Sequence, residues 1–284
     1  MTPELAVVIV NYNAGAELRL ALQSIADEMT GRAWEAVVVD NASKDDSADI
    51  AAEFAPHARI VRNTTNVGFG RGINQGMSAS SAPLVLIMNP DCRLERGAVA
   101  TMRAELESHG LCAIVGPRVL DPDGSVQGSA RGDPDMLTGL FGRTGPLRGL
   151  LPSSAAARRN VVTGASSRDS TVVDWVSGAC MLVRRAAFDE VGGFDPRYFL
   201  YWEDADLCRR LRARGHQVRY APAAAAVHRV GQSSRTARAA SIKAFHKSAY
   251  LYYTTHVAPS AFSPKRPLAR LLLGIRCWLR LLRV

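Results

Sequence analysis

Short aliphatic and β-branched runs alternate with segments of helical spacing through the first hundred positions of this 284-residue chain. Val7 to Val10 forms one run, Leu18, Leu22 and Ile25 then recur at helical intervals, and Ala36 to Val39 forms a second run. The same reading predicts a helix after Ser43, a short strand at Ile60 to Arg62, a helix opened by Gly68 to Gly76, and a strand from Leu84 to Met88 bounded by Pro83 and Pro90. Strands alternating with helices in this way predict βαβ units and an α/β fold, with a mostly parallel central sheet flanked by helices.

The pattern dissolves between Gly132 and Thr171 into Gly, Pro, Ser and Arg, which predicts a long mobile loop of the kind that covers a site or meets a partner. Order returns with a strand pair over Val172 to Val183. A helix is predicted from Asp204 to Arg214, closed by Gly215, followed by a strand at Val218 to Tyr220. In Leu268 to Val284 the cations Arg276, Arg280 and Arg283 fall at i, i+4 and i+7, while Leu271, Leu272, Ile275, Trp278, Leu279 and Leu282 supply the apolar remainder. Two readings stand for such a segment, an interfacial helix lying on anionic lipid or an amphipathic helix docked on its own domain. The expected organisation is a catalytic unit over residues 1–235, with a nucleotide-binding half at 1–120 and an acceptor half at 172–235, and a basic helical tail over 236–284.

Charge sharpens this division. The net charge is +9, but from Leu207 onward there are 16 Lys or Arg and no Asp or Glu, leaving 19 bases against 26 acids in the first 206 residues. A wholly basic rear fits an anionic partner, phospholipid headgroups or nucleic acid, and no recognised nucleic-acid motif accompanies it. The five cysteines are scattered without a CxxC pair, which disfavours a disulfide framework or a zinc knuckle and fits a reducing cytoplasm. The apolar run Leu5 to Val10 is too short for a signal peptide or a membrane span and reads as a buried strand.

Four constellations carry candidate chemistry. Asp40-Asn41-Ala42-Ser43 lies where a strand ends, the place where open α/β sheets bind ligands, although Asp40 or Ser43 serves equally as a helix cap. Asn66 to Gly76 holds four glycines, which permit close backbone approach, and Arg71, which suits a phosphate. It is neither a GxGxxG nor a GxxxxGK[ST] motif, which argues against dehydrogenases and P-loop enzymes. Asn89-Pro90-Asp91 follows directly on Leu84 to Met88 and brings a hard oxygen ligand to a strand end, or is a plain turn. Gly192-Gly193-Phe194-Asp195 leads to Tyr201-Trp202-Glu203-Asp204-Ala205-Asp206, where the helix dipole accounts for one or two acids but not for the aromatic residues beside them. A carboxylate in that setting is tuned for taking a proton.

Taken in order, Val10-Asn11-Tyr12-Asn13, Asp40 to Ser43, Asn66 to Gly76, Asn89-Pro90-Asp91, Trp175 to Arg184, and Gly193-Phe194-Asp195 through Asp206 to His228 resemble the family 2 glycosyltransferases over residues 5 to 235. The resemblance implies a GT-A fold and an inverting, Mg²⁺- or Mn²⁺-dependent transfer from a nucleoside-diphosphate sugar. It implies that Asp40 recognises the base with Asn41 and Ser43 nearby, and that Asn11, Asn13, Asn66, Arg71, Asn74, Asn89 and Trp175 belong to the sugar-nucleotide site. Asp91 stands at the final position of the family's DxD motif as a metal ligand, with Asn89 where the first Asp is usual. Asp204 is the implied general base, Glu203 its neighbour in the acceptor site, and His228 a further metal ligand. The phrases Asp121-Pro122-Asp123-Gly124-Ser125, Trp175 to Cys180 and His246-Lys247-Ser248 resemble the rhamnosyltransferase branch. That branch implies dTDP-L-rhamnose as donor and a polyprenyl-diphosphate-linked N-acetylglucosamine as acceptor. A UDP-sugar donor, such as one carrying galactofuranose or GlcNAc, and a catalytically silent sugar-nucleotide binder remain alternatives. The expected location is peripheral, at the cytoplasmic face of the membrane, and a homodimer is compatible with it.

Overall fold

A computed structural model describes residues 3–133, 169–229 and 238–284. The expected loop from Gly132 to Thr171 therefore lies outside the described residues except at its two ends.

Strand β1 (Leu5–Asn11) pairs in parallel with β2 (Trp34–Asp40) on one side and β4 (Leu84–Met88) on the other, and β3 (Ala58–Arg62) extends the sheet beyond β2. All seven residues of β1 are buried because helices cover both faces. On one face Val7, Ile9, Val38 and Leu86 pack with Leu18, Leu22 and Ile25 of helix α1 (Ala16–Glu28). On the other, Val8, Val37, Val39 and Ile87 pack with Ile73 and Met77 further along the chain. Continuous apolar runs, not alternating ones, are what such doubly covered strands require.

The parallel arrangement ends at β4. There β10 (Cys180–Arg184) inserts antiparallel between β4 and β6 (Cys112–Leu120), and β11 (Gln217–His228) then pairs in parallel with β6. The short β5 (Cys92–Leu94) closes that edge antiparallel to β11, with His228 opposite Cys92. Two short strands, β7 (Ala130–Arg131) and β9 (Trp175–Val176), form a separate ribbon, and β8 (Thr171–Val173) pairs with β11. The sheet is thus parallel in its first half and mixed in its second.

Strand β11 is four times as long as the expected Val218 to Tyr220; the sequence pattern hides its second half because Ala223 to Ala226 are residues that favour helix. Pro222 sits where the register with β6 shifts, a bulge that tolerates a missing N–H. Partners on both sides do the rest, and they deliver His228 to the end of the sheet.

Four further helices follow: α2 (Ser47–Ile50), α3 (Phe69–Ser78), α4 (Ala98–Ser108) and α5 (Arg185–Glu190). In α3 the glycines mark close packing. A Cβ on Gly76 would lie 2.3 Å from Val8 Cγ1, and one on Gly72 would lie 2.7 Å from Val10 Cγ2. Alanine ordinarily favours a helix over glycine by about 0.5–1 kcal/mol. Here overpacking by about 1–3 kcal/mol prevails. Gly76→Ala is expected to lower stability, read as a lower urea midpoint; an unchanged or raised midpoint would contradict this packing.

Candidate active site

The carboxyl ends of β1, β2 and β4 lie side by side, and most of the residues singled out above gather there. Asn11 and Asp40 are register partners at the last positions of β1 and β2. Buried Asn11 Nδ2 lies 2.9 Å from Asp40 Oδ1, 3.1 Å from Ser43 Oγ and 2.8 Å from Ser47 Oγ. Ser43 Oγ also accepts from the Asn13 N–H at 3.0 Å, and Asn13 Oδ1 accepts from the Lys44 N–H at 2.7 Å. Asn13 and Ala42 hold positive φ, 52° and 62°, so two tight turns are locked against one another by their own side chains. Asn41 is a brace: its Nδ2 donates to the Gly68 carbonyl and its Oδ1 accepts from Asn63.

The Asn66 to Gly76 segment clamps another part of the chain. Asn66 Oδ1 accepts from the Gly68 N–H, and a Cβ on Gly68 would meet the Phe199 carbonyl oxygen at 2.4 Å. Asn74 uses both ends of its amide on the Phe194 backbone, at 2.8 and 3.0 Å, and Arg71 Nε donates to the Pro196 carbonyl at 2.9 Å. Arg71 and Asn74 therefore reach the segment Phe194 to Pro196 that leads into the acidic helix α6 (Glu203–Ala213).

Past β4 the chain turns through Asn89-Pro90-Asp91 into β5, and the β5–β11 pairing sets His228 beside it. His228 Nε2 is 3.2 Å from Asp91 Oδ1 and 3.2 Å from Asn89 Nδ2, with His228 buried and Asp91 half-buried. Buried Glu17 braces the pair, accepting from Arg93 at 3.0 Å and from Arg229 at 2.9 Å, the residues that follow β5's first position and His228. The Arg229 N–H in turn donates to the Asp91 carbonyl. Among the described residues no three His, Cys, Asp or Glu side chains gather that could hold an ion by themselves. A carboxylate oxygen and an imidazole nitrogen do fit a hard divalent cation that takes its remaining oxygens from substrate phosphates.

Asp204 is linked to this turn through Gly178 and Ala179, just before β10. Its Oδ2 accepts from the Gly178 N–H at 3.0 Å and its Oδ1 from the Ala205 N–H at 2.8 Å, while the Ala179 carbonyl accepts from the Asn89 N–H. Burial raises the Asp204 carboxyl above its ordinary value, against the two backbone N–H groups and the Arg131 charge, which lower it. Glu203 is pushed up to about 8, first by burial and then by the Asp204 charge, and its Oε2 is buried without a hydrogen-bond partner. Trp175 lies across the site on β9, its Nε1 donating to the Gly132 carbonyl and its ring 5.1 Å beneath the Arg131 guanidinium.

Several contributors have no plain sequence signal. Tyr201 and Trp202 both adopt positive φ, 68° and 71°, unusual for bulky residues and costly by about 1–3 kcal/mol each. They are held by helix α7 (Arg238–Tyr252), the third wall of the site: Phe245 lies 5.8 Å from Tyr201 and 5.7 Å from Trp202, and Tyr252 lies 5.3 Å from Trp202. Asp206, fully buried, ties the same parts together through Arg210 at 2.8 Å and His256 at 2.7 Å. The first half of the expected tail is thus part of the site wall. Gln127, which bonds His228, follows the Asp121 to Ser125 turn, and only that turn stood out in the sequence.

Residues 6–192 match the family described as glycosyl transferase family 2. Over 264 residues the chain is 33% identical to the N-acetylglucosaminyl-diphospho-decaprenol L-rhamnosyltransferase of Mycobacterium tuberculosis, covering 89% of this chain and 84% of that one. Among solved structures it superposes on GalNAc-T7 with UDP, GalNAc and Mn²⁺ at a TM-score of 0.62 and 14% identity, covering 92% of this chain and 52% of that one. It superposes on the mannosyltransferase PcManGT of Pyrobaculum calidifontis, with GDP-Man and Mn²⁺, at 0.59 and 16%, covering 98% and 70%. Both likenesses bear on the fold.

Glu203 supplies a test of the electrostatics. Its folded pKa lies above its unfolded one, so the folded state holds the extra proton and Glu203 costs stability as pH rises from about 4.5 to 8, by up to ~1.4 kcal/mol per pH unit. Glu203→Gln removes that slope. Its stability relative to the native chain is expected to improve between pH 5 and pH 8 in urea denaturation; a pH-independent difference would show that Glu203 titrates normally.

Proposed function

Because the chain belongs to the family 2 glycosyltransferases and carries their GT-A fold, we propose that it transfers L-rhamnose from dTDP-L-rhamnose, with inversion, to a polyprenyl-diphosphate-linked N-acetylglucosamine. The observation that carries the mechanism is the short path joining base and cation pair. Gly178 holds the Asp204 carboxylate, and the adjoining Ala179 is bonded to Asn89, two residues before Asp91. Support for rhamnose as the sugar and for a lipid-linked acceptor comes from the mycobacterial relative.

In this reading Asp40, with Asn11 and Ser43 around it, receives the nucleoside at the ends of β1 and β2. Asp91 and His228 hold Mg²⁺ or Mn²⁺, which when bound neutralises charge on the departing diphosphate. The acceptor oxygen forms its bond to the anomeric carbon as the bond from that carbon to the diphosphate oxygen breaks, the electron pair leaving with the diphosphate. Asp204 takes the acceptor proton. A buried carboxylate with a raised pKa is a stronger base than one in water, and the two backbone N–H groups fix its direction. Protonated Glu203 beside it adds no second negative charge against the leaving group.

We place the enzyme peripherally at the cytoplasmic face of the membrane, on anionic lipid. The support is helix α8 (Lys265–Leu281). It rests on α7 through a narrow inward side: Ala269 is buried, Arg276 lies 5.9 Å over the Phe245 ring, and Arg266 donates to the Thr254, Ala258 and Pro259 carbonyls. Leu268, Leu271, Leu272, Ile275, Trp278, Leu279 and Leu282 face outward, with Leu271 and Trp278 each 60% exposed. Arg276 thus leaves the expected cationic stripe and turns toward the protein. Apolar side chains flanked by Arg270, Arg280 and Arg283 suit the boundary between headgroups and acyl chains. A second copy of the chain would bring like charges together on a helix that has no acid to pair them. No described helix is long and apolar enough to cross a membrane.

Asp204→Asn is expected to reduce turnover by about 10²–10⁴ while dTDP-L-rhamnose binding, followed by calorimetry, is largely kept; near-native turnover rejects the base. Donor hydrolysis with and without Mn²⁺ separates an enzyme from a silent binder. The double variant Leu271→Glu/Trp278→Glu, at exposed positions, is expected to lose flotation with phosphatidylglycerol-containing vesicles that carry the native chain upward. Equal flotation of both, or of neither, defeats the membrane assignment.

A further inference from the structure

An imidazole binds a cation only through a nitrogen without a proton, and a neutral ring carries its single proton on one nitrogen or the other. Which nitrogen is bare in His228 depends on what faces Nδ1, and what faces it is the Gln127 side chain, with Oε1 3.0 Å away.

The orientation of that amide is fixed by its far end. Gln127 Nε2 has two neighbours, the His228 backbone carbonyl at 2.8 Å and Asp121 Oδ1 at 2.8 Å. Both accept hydrogen bonds and neither donates, so they take the two N–H bonds of the amide. A reversed amide would set its carbonyl oxygen against a carbonyl and a carboxylate at once, in a setting where Gln127 is buried and water does not relieve the conflict. The backbone holds the side chain in place, since the Gln127 N–H donates to the Val119 carbonyl on β6 and the Asp121 carboxylate is fixed by its own turn, where Ser125 Oγ bonds Oδ2. Oε1 therefore presents lone pairs to Nδ1, and Nδ1 must carry the proton. On the far side Nε2 faces a donor, Asn89 Nδ2, and an acceptor, Asp91 Oδ1, each at 3.2 Å, so the Gln127 side decides the tautomer.

We infer that Gln127 is the positioning residue of the cation pair, holding His228 as the Nδ1–H tautomer and so aiming a bare Nε2 toward Asp91. The opposite tautomer would place an Nε2–H where it donates to Asp91 Oδ1 at 3.2 Å, closing the two ligands on each other. Outer partners of this type fix ring orientation and ligand basicity, and their loss commonly weakens metal binding about 10- to 100-fold. Asp121 enters through Gln127, which gives the Asp121 to Ser125 turn a role in the site.

The tautomer claim stands on geometry alone; only its consequence for metal rests on the function proposed above, and the test separates them. The full-length chain, metal-free and labelled with ¹⁵N-histidine, is examined by long-range ¹H–¹⁵N correlation at pH 8.5, where an ordinary imidazole is neutral, with His228→Gln identifying the signal. The native chain is expected to show the Nδ1–H form, and an Nε2–H form overturns the inference. In Gln127→Met, which keeps the volume and removes the amide, the His228 signal is expected to move toward Nε2–H. Mn²⁺ affinity, read by water-proton relaxation with dTDP and separately with UDP, is expected to fall about 10- to 100-fold. An unchanged tautomer overturns the inference. A shifted tautomer with unchanged Mn²⁺ affinity upholds it and instead overturns the assignment of Asp91 and His228 to a cation. Should Gln127→Met fail to fold, Asp121→Asn, which lets the amide reverse, is expected to give the same shift to a smaller extent, and no shift there overturns the inference.

Discussion

A carboxylate and an imidazole brought to 3.2 Å from residues 137 positions apart are the meeting on which the rest of the molecule turns. Neither is placed by its local sequence. Asp91 arrives because β4 ends in a proline turn, and His228 arrives because β11 runs on through a bulge and four alanines to pair with β5. Glu17 then ties both to α1 through Arg93 and Arg229, so that the first helix, the fifth strand and the end of the last strand share one buried carboxylate. Two groups that draw hydrogen bonds toward the same point leave room there for a positive partner, and the surrounding chain keeps them from drifting apart.

The opposite wall is built on strain. Tyr201 and Trp202 hold backbone conformations that large side chains avoid, and the two acids that follow start a helix with no side-chain cap. What sustains this is packing from behind: Phe245 and Tyr252 against the rings, Asn74 and Arg71 against the backbone of Phe194 and Pro196, and Arg210 and His256 on Asp206. The glycine-rich helix contributes here more as a close-fitting clamp than as an open turn, since added Cβ atoms at Gly68, Gly72 and Gly76 would strike Phe199, Val10 and Val8.

The parallel half of the fold was readable because its strands are covered on both faces and so appear as unbroken apolar runs; Leu84 to Met88 is found with the same ends in sequence and structure. The mixed half was not. Ala223 to Ala226 has the composition of a helix, and only its pairing with β6 and β5 makes it a strand. Asp91, Asp204 and His228 were legible through the family resemblance, and each stands at or beside the end of an element, where chemistry concentrates. Gln127 was not, because its meaning lies in two acceptors contributed by residues 121 and 228. The aromatic support from α7 was hidden for a related reason: Lys and Arg carry all the formal charge of the tail and point to lipid, while Phe245 and Tyr252 do their packing one helix earlier.

Arg266 fastens the start of α8 to three carbonyls in the segment that follows α7, and α7 itself forms a wall of the pocket. The outward apolar ridge is therefore joined by direct packing, through Arg276 and Phe245, to the Tyr201 and Trp202 rings that precede Glu203 and Asp204. For an enzyme resting on lipid by that ridge, the reach from bilayer to Asp204 is set by helix geometry, like the throat depth of a fixed press. Acceptors would then be sorted by how far their sugar stands above the membrane, a ruler that needs no contact with the sugar itself.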